Sequence, residues 1–253
     1  MLDWFNDLAA KGELMAYNSP ESKNFHPMST DPAVGPTNPP YYFTEMFAAR
    51  GILYNPKYVK EEIAHWKDIL RPQYKGKISC GDVSRSFTHA EAWLLLRKVL
   101  GVSYMKDLAK QDPFLLVSAS DLINKAATGE YPIVVLSSQG TAFRLNLKGA
   151  GLKLIFPPEG WPAIGEATVI LTHAPHPNVA KLWVDFVHSE AAQKLFLENG
   201  YIVGRLGIES KYPDFPVPIY KMKGYIQMDW RKISTKDRND VREEFRRIVI
   251  EKK

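Results

Sequence analysis

Apolar and polar positions follow two different periods along this chain, and the change between them predicts alternating strands and helices. Short apolar runs such as Ile133-Val134-Val135-Leu136 are typical of buried strands, whereas apolar residues three and four positions apart predict helices. This alternation between residues 77 and 156 is typical of parallel βαβ units in an open, doubly wound α/β sheet. The predicted strands are 77–80, 114–118, 132–137 and 152–156, and the predicted helices are 86–100, 103–111, 120–128 and 139–148.

The segments on either side of this region have less regular patterns. Apolar spacing predicts a short helix at 2–11, an extended segment at 42–54 and a helix at 56–70. Residues 18–41 contain six prolines, which predicts a long loop without helix or central strand. Beyond residue 157 the pattern predicts a strand at 166–172, helices at 177–188 and 190–199, a loop with Pro213, Pro216 and Pro218, and a charged helix near 236–252.

Composition excludes several classes of protein. The chain has 253 residues and a single cysteine, Cys80, so it has neither an internal disulfide nor a zinc site built on several cysteines. A membrane-spanning helix needs about 20 apolar residues in succession, and the apolar runs here are only a few residues long. We therefore expect a chain that does not span a membrane.

The net charge of +5 lies in one segment of the chain. Residues 221–253 hold 11 Lys or Arg against 6 Asp or Glu, which accounts for the whole excess. Acidic and basic residues alternate there at helical spacing, as Asp237, Arg238, Glu243 and Arg247 illustrate, and this is typical of a solvated helix face. The alternative is a nucleic-acid patch, which clustered unpaired cations would indicate. We expect no nucleic-acid partner.

The sequence contains none of the common phosphate-loop, dinucleotide, nucleophile-elbow or zinc-protease motifs. His173 and His176 are separated by Pro175, which prevents the helix that would align them as metal ligands. Cys80 and His89 suggest a nucleophile and a base, but a free cysteine at the end of a buried strand is usually a small apolar residue. The sequence therefore predicts no metal, no cofactor and no catalytic residues.

Two polar turns, each between a strand and a helix, are better candidates for a binding site. Backbone N–H groups at the start of a helix lack internal partners and attract anions. Ligands of open α/β sheets bind at the carboxyl ends of the strands, where both turns are expected. The alternative for the serines is helix capping, and one residue can do both. The candidates are Ser84, Arg85, Ser86 and Thr88 in the first turn and Ser138, Gln139 and Gly140 in the second.

Two longer segments resemble one known family. The run from Trp66 to Ile78 (WKDILRPQYKGKI) and the run from His176 to Gln193 (HPNVAKLWVDFVHSEAAQ) are similar to segments of type 2 periplasmic solute-binding proteins of bacterial ABC importers. Residues 51–55 resemble the hinge strand of that family and residues 156–160 its return crossover. The order and spacing agree from about residue 1 to 206, with the branch that includes binders of ferric iron and of small organic anions.

The resemblance implies a two-lobe α/β fold in which solute binds between the lobes. Residues 1–52 and 157–215 would form the N-terminal lobe, and residues 53–156 and 216–253 the C-terminal lobe. Trp161, at the return crossover, would be a wall of the cleft, with a core aromatic as the alternative. The implied function is capture of a small, anionic solute, without catalysis, for a membrane permease. The implied location is the periplasm.

The chain departs from the family pattern in two ways. Its start lacks the basic and apolar segments of a signal peptide, and about a hundred residues that family members carry before this point are missing. We therefore expect an incomplete N-terminal lobe with uncovered apolar surface and a tendency to self-associate. Where iron binders of the branch have a tyrosine pair, this chain has Ser138-Gln139-Gly140, which argues against iron. A ferric-iron binder, an effector-binding regulatory domain and a small-molecule enzyme on the same fold stay open as alternatives.

Overall fold

The computed structural model describes residues 2–30, 40–42, 44–212, 218–226, 229 and 232–252, and it divides into two compact units of mixed α/β structure. Pro32, Pro36, Pro39, Pro213 and Pro216 of the predicted loops lie outside the described residues. Unit 1 comprises Met1–Ala48, Gly165–Lys223 and Met228–Thr235, and unit 2 comprises Ala49–Ile164, Gly224–Gln227 and Lys236–Lys253. The mixed α/β class is as predicted, and the lobe boundaries given above stay a prediction.

Helices and strands follow one another in the order that the polar pattern suggests. The helices are α1 (Leu2–Ala10), α2 (Pro27–Thr30), α3 (Phe87–Lys110), α4 (Ala119–Thr128), α5 (Gln139–Asn146), α6 (Pro177–His188), α7 (Glu190–Glu198) and α8 (Thr235–Phe245). The strands are β1 (Thr44–Tyr54), β2 (Ile78–Gly81), β3 (Phe114–Leu116), β4 (Ile133–Ser138), β5 (Lys153–Ile155), β6 (Trp161–Ala167), β7 (Ile202–Val203) and β8 (Tyr225–Ile226). Short 3-10 helices occupy Pro20–Asn24, Trp66–Leu70, Pro72–Tyr74 and Ile219–Lys221, and a π-helical turn, Arg246–Ile250, follows α8.

The sheet of unit 2 has a parallel centre. Strand β2 pairs in parallel with β3 on one side and β4 on the other, so that Cys80 lies between Leu115 and Val135. Strand β4 also pairs with the second half of β1, which runs antiparallel, and β5 pairs antiparallel with β1. Buried apolar side chains of β1, β4 and α4 form the core beneath the sheet. The parallel βαβ arrangement is confirmed, whereas the antiparallel β1 was not predicted.

Unit 1 is built around the first half of β1. Met46 and Phe47 of β1 pair antiparallel with Val203 and Ile202 of β7. Helices α6 and α7 pack against each other, and α7 packs on β7 through Leu197. The elements predicted at 2–11, 177–188 and 190–199 are confirmed as α1, α6 and α7.

The proline-rich segment 18–41 contains more helix than predicted. A 3-10 helix at Pro20–Asn24 begins behind Ser19, whose side chain accepts a hydrogen bond from the Glu21 N–H at 3.3 Å, and α2 begins at Pro27. Proline at the first position of a helix costs nothing, because the N–H that it lacks would have no partner there. The prediction of no helix was therefore wrong for these two turns.

The helix predicted at 56–70 was also wrong for most of its length. Only Trp66–Leu70 is helical, as a 3-10 turn. The Asn55 side chain instead fixes the start of the segment: it donates to Ala126 O at 3.0 Å and accepts from the Lys57 N–H at 3.0 Å. Asp68 accepts hydrogen bonds from the N–H groups that precede the 3-10 turn. These contacts to side chains replace the helical hydrogen bonds.

One element boundary differs from the predictions and another agrees with them. Strand β6 begins at Trp161, five residues before the predicted start, and ends at Ala167. Its first residues pair in parallel with β8, and Pro162 is one of these paired residues. The helices predicted on either side of Gly101 are confirmed: the backbone at Gly101 is not helical, with φ 71° and ψ 177°, so α3 consists of two helices joined at a kink.

Candidate functional site

Three parallel strands of unit 2 end at one edge of the sheet, and a helix begins after each of them. Strands β2, β3 and β4 lead into α3, α4 and α5, whose N-cap residues are Ser86, Ser118 and Ser138. The first N–H groups of each helix, with the positive end of its dipole, lie at this edge. We call it the carboxyl edge. It brings the two polar turns of the sequence onto neighbouring strands.

The first turn uses its two serines differently. Ser86 Oγ accepts a hydrogen bond from the His89 N–H at 3.4 Å, as an N-cap does. Ser84 Oγ donates to Asp82 Oδ1 at 2.6 Å, and the Ser84 N–H donates to the same oxygen at 3.0 Å. The Ser84 hydroxyl proton is therefore held by a carboxylate, whereas Ser86 keeps its hydroxyl proton for a further acceptor.

The other two candidates of this turn differ in exposure. Arg85 is exposed and Thr88 is half-buried. Helix α8 borders the turn: Arg242 Nη2 donates to Ser84 O at 2.7 Å, and its guanidinium lies 4.9 Å from the centre of the Phe87 ring. The charged terminal helix thus holds the Ser84 backbone in place.

The second turn is more enclosed. Ser138 is half-buried at the N-cap of α5, and Gln139 and Gly140 are buried. The preceding residue, Ser137, is 3% exposed, and its hydroxyl has no hydrogen-bond partner among the described residues. Because buried hydroxyls are nearly always hydrogen-bonded, Ser137 joins the candidates. The sequence analysis did not select it.

A β-bulge directly precedes this turn. Gly51 of β1 lies opposite Ser137, and Leu53 lies opposite Val134, so β4 has one residue more than β1 in this stretch. Leu136, inside the bulge, has a φ of +56°. A positive φ is uncommon for a residue with a branched side chain, and such strain is often found at functional sites.

Strand β1 contributes a buried positive charge to the carboxyl edge. Arg50 lies opposite Ser138 in the antiparallel register, and the residue is only 6% exposed. A buried guanidinium is rare, and its charge makes this end of the sheet electropositive. The sequence analysis missed Arg50, although it stands in an otherwise apolar stretch of the predicted extended segment.

His89 is held inside the first turn. Its ring packs on the backbone of Gly81, and Nε2 lies 3.2 Å from Val117 O. Burial, and secondly the charge of Arg50, lower the pKa of His89 to about 4. His89 is therefore neutral at pH 7.

Cys80 lies in the interior of the sheet. The residue is 1% exposed, and burial raises the pKa of its thiol to about 12. A neutral, buried thiol is a poor nucleophile. Within the described residues, no three His, Cys, Asp or Glu side chains form a group that could hold a metal ion.

Trp161 lies in the interior of unit 2. It is 1% exposed and packs between Phe156 and Tyr225, with ring centroids 4.6 and 6.0 Å away. The backbone N–H of Trp161 donates to Gly224 O at 3.1 Å. Its role as a wall of the binding site stays a prediction.

A comparison with protein families matches most of this chain. The model of one family, described as bacterial extracellular solute-binding protein, matches residues 3–231. The chain belongs to this family. No curated protein in a separate comparison matches it.

Solved structures similar to this solute-binding protein share its type 2 periplasmic-binding-protein fold. AfuA from Actinobacillus pleuropneumoniae, with fructose-6-phosphate bound, has a TM-score of 0.82 at 22% identity, over 98% of this chain and 80% of that one. The substrate-binding protein of an ABC transporter from Agrobacterium tumefaciens has a TM-score of 0.82 at 11% identity, over 98% and 76%. Iron-bound HitA from Pseudomonas aeruginosa has a TM-score of 0.71 at 17% identity, over 98% and 79%.

Family membership makes this chain a solute-binding protein. The family is one of solute-binding proteins, and AfuA is a periplasmic binding protein. Among the described residues, no helix has the length and apolar character that a membrane span requires.

Proposed function

We propose that this chain binds a small anionic solute at the carboxyl edge of unit 2 and delivers it to the permease of an ABC importer. The observation that carries the proposal is the position of Arg50, a buried cation opposite the N-cap of α5. The guanidinium and the N–H groups of α5 both favour a negative charge at this point. Two independent sources of positive potential at one edge support an anion over a neutral solute.

Polar groups from both turns complete the proposed site. The backbone of Gln139 and Gly140 supplies the N–H groups, and Ser137 supplies a buried hydroxyl. From the neighbouring turn come Ser86, Thr88 and the more exposed Arg85. Ser138, at the N-cap of α5, is placed with this set. Ser84 fits the site less well, because the Asp82 carboxylate holds its hydroxyl and repels an anion.

The similar structures support a ligand of this class. AfuA has a sugar phosphate bound, which is a small anion. HitA has iron bound, but ferric ion needs hard anionic ligands, and the turn of this chain offers a serine, an amide and a glycine. We therefore favour a phosphorylated or carboxylated solute over iron.

In this proposal the chain binds its solute in the periplasm and does not convert it chemically. The buried thiol of Cys80 and the neutral ring of His89 fit a packed interior more closely than a nucleophile and base. Turnover of a bound compound that is abolished by changing either residue would favour the alternative enzyme reading.

The test begins with a thermal-shift screen of sugar phosphates, phosphonates and organic acids, each paired with its uncharged counterpart. The anion that raises the melting temperature most is then titrated by calorimetry into the wild-type chain and Arg50→Gln. A hydrogen bond to a charged group contributes about 1.5–3 kcal/mol, so the variant is expected to bind about ten- to a hundredfold more weakly.

Arg144→Gln is the matched control, because Arg144 is an exposed arginine in the last turn of the same helix, α5. It should bind the anion as the wild type does. Equal stabilisation by charged and uncharged compounds, or unchanged affinity in Arg50→Gln, would contradict the proposal.

A further inference from the structure

Four lysines of unit 2 meet at one cavity. Lys75 precedes β2, Lys106 and Lys110 belong to the end of α3, and Lys252 follows the π-helical turn. Together with Asp112 and two buried apolar side chains, they line a cavity of about 510 Å³. Segments that are far apart in the sequence thus bring their positive charges together. We call this place the lysine cavity.

The lysine cavity lies at the opposite end of the parallel strands from the carboxyl edge. Lys75 comes before the first residue of β2, and Asp112 comes before the first residue of β3. Strand β2 has four residues, so about 13 Å of extended backbone separates its two ends. The lysine cavity is therefore distinct from the proposed solute site.

Positive charge exceeds negative charge around the lysine cavity. Asp112 pairs with Lys75 at 3.6 Å and also with Lys252. Lys110 pairs with Asp107 at 2.7 Å, and within the described part of the chain Lys106 has no ion-pair partner. Two carboxylates thus accompany four ammonium groups. The C-terminal end of the α3 dipole adds only about half a negative charge, so the excess stays positive.

Asp112 shows that the lysines of this cavity can converge on an anionic oxygen. A hydrogen bond from Lys252, and secondly the charges of Lys252 and Lys75, lower the pKa of the Asp112 carboxyl. All three side chains are exposed, and exposed ion pairs are weak. An anion with more charge than one carboxylate can therefore compete with Asp112 for the two ammonium groups.

The backbone around the lysine cavity contains two strained positions. Asp112 and Lys252 have positive φ, 51° and 57°. Each follows the C-cap residue of a helical segment, α3 in one case and the π-helical turn in the other. Glycine is the usual residue there, because a side chain carries a conformational cost at positive φ. Two charged side chains are kept at these positions, and such strain is often found at functional sites.

We propose that the lysine cavity binds a phosphate-bearing anion, supplied either by a free phosphorylated compound or by the headgroup of an anionic phospholipid. A phosphate monoester carries a charge of about −1.5 to −2 at pH 7, and lysine binds phosphate oxygens as a point charge. The cavity volume of about 510 Å³ is in the range of ligand sites. The proposal concerns a second site and stands without the one at the carboxyl edge.

The first experiment is a calorimetric titration with pyrophosphate. Binding at the lysine cavity should be present in the wild type and in Arg50→Gln alike, which distinguishes it from binding at the carboxyl edge, and it should weaken as salt is added. Lys106→Gln should bind about two- to fivefold more weakly, the effect of one exposed ion pair. Lys148→Gln is the matched control, because this exposed lysine lines a different cavity.

Asp112→Asn changes affinity in the opposite direction. Asparagine tolerates positive φ, so the backbone is kept while the carboxylate that competes for Lys75 and Lys252 is lost. Pyrophosphate should therefore bind this variant about two- to fivefold more tightly. A purely structural role of Asp112 would not strengthen binding.

The second experiment identifies the source of the phosphate with vesicles of phosphatidylcholine, prepared with and without phosphatidylglycerol. Sedimentation with the phosphatidylglycerol vesicles alone, weakened in Lys106→Gln, would assign a lipid headgroup. Pyrophosphate binding without such sedimentation would assign a free compound. The proposal is overturned if neither probe binds, if Lys106→Gln binds both probes as the wild type does, or if Asp112→Asn weakens the binding of pyrophosphate.

Discussion

The carboxylate of Glu45 lies 3.6 Å from the imidazole of His188, and both side chains are buried in unit 1. Burial raises the pKa of Glu45 to about 7, and the negative charge of Glu166 adds to the rise. A hydrogen bond of 3.0 Å from the Thr168 hydroxyl lowers this pKa in part. Burial lowers the pKa of His188 to about 4, where Asp185, Arg205 and Glu21 are the neighbouring charges. The two residues thus shift in opposite directions.

These opposite shifts predict that the pair leaves the free energy of unfolding independent of pH between about 4.5 and 6.5. In that window the folded pair binds one proton, on Glu45, because His188 is neutral above its pKa of about 4. The unfolded pair also binds one proton, on His188, because the ordinary values are 4.5 for Glu45 and 6.5 for His188. Equal proton binding in both states means no slope with pH.

In the wild type the pH dependence of each residue cancels that of the other. Replacing one of them should therefore reveal how the remaining residue changes the free energy of unfolding with pH. In Glu45→Gln only His188 titrates, the unfolded state binds more protons, and stability should rise between pH 4 and 6.5. In His188→Gln only Glu45 titrates, the folded state binds more protons, and stability should fall between pH 4.5 and 7. One proton corresponds to about 1.4 kcal/mol per pH unit.

Urea unfolding at pH 5, 6 and 7 measures these slopes. Glu13→Gln, at an exposed glutamate of the same unit, is the control and should follow the wild type. Slopes of the same sign in the two variants would show that the residues do not oppose each other.

Gly81, at the end of β2, should not accept even a methyl group. An added Cβ would lie 2.3 Å from Nδ1 of His89, so Gly81→Ala is expected to lower stability by about 1–3 kcal/mol. Removing the ring relieves the clash, and the double variant with His89→Ala should be more stable than the sum of the two single effects predicts. Chemical denaturation of the four proteins measures this, and additivity would contradict it.

Ferric ion should give no visible phenolate-to-iron band with this chain. The iron-binding branch of the resembling family has a tyrosine pair where this chain has Ser138, Gln139 and Gly140. Ferric citrate is added at neutral pH to this chain and to HitA as a positive control, and absorbance is recorded. A band in both proteins would place iron among the ligands and contradict the preference for an organic anion.

The elements around the carboxyl edge could be predicted because their signals are local. An apolar run defines β4, and the serines at the starts of α3 and α5 define the turns. The prediction of a helix at 56–70 was wrong for a physical reason. Its apolar residues have helical spacing, and Val59, Ile63 and Trp66 are buried. The side chains of Asn55 and Asp68, however, form hydrogen bonds with backbone groups that sequence spacing does not predict. Tertiary contacts overrode the local pattern there.

The candidate site could be predicted only in part, for a similar reason. Serines at helix starts are visible in sequence, whereas the burial of Arg50 depends on the pairing of β1 with β4. One signal was available: Glu45 and Arg50 are the only charged residues between 42 and 54. Both are buried in the structure. A charge inside an apolar strand is uncommon, so both residues could have been identified as candidates from the sequence.

The two serines of the first turn should respond differently to replacement by alanine. Ser86 Oγ accepts from the His89 N–H and keeps its own proton for an anion, so Ser86→Ala should lose both interactions. We expect a loss of about 1 kcal/mol in stability and a tenfold or greater loss in affinity for the anion found by screening. Ser84 donates to Asp82, so Ser84→Ala should leave affinity unchanged.

Calorimetry and thermal unfolding of both variants separate capping from binding. Replacing a serine that only caps the helix lowers the melting temperature and leaves affinity unchanged. Replacing a serine that contacts the solute weakens binding even when the titration is run at a temperature low enough for the variant to be fully folded. Unchanged affinity in Ser86→Ala would make this residue a cap alone, and the site would then rest on Arg50 and α5. Weaker binding in Ser84→Ala would mean that the Ser84 hydroxyl leaves Asp82 and donates to the solute instead, because a hydroxyl has only one proton to donate.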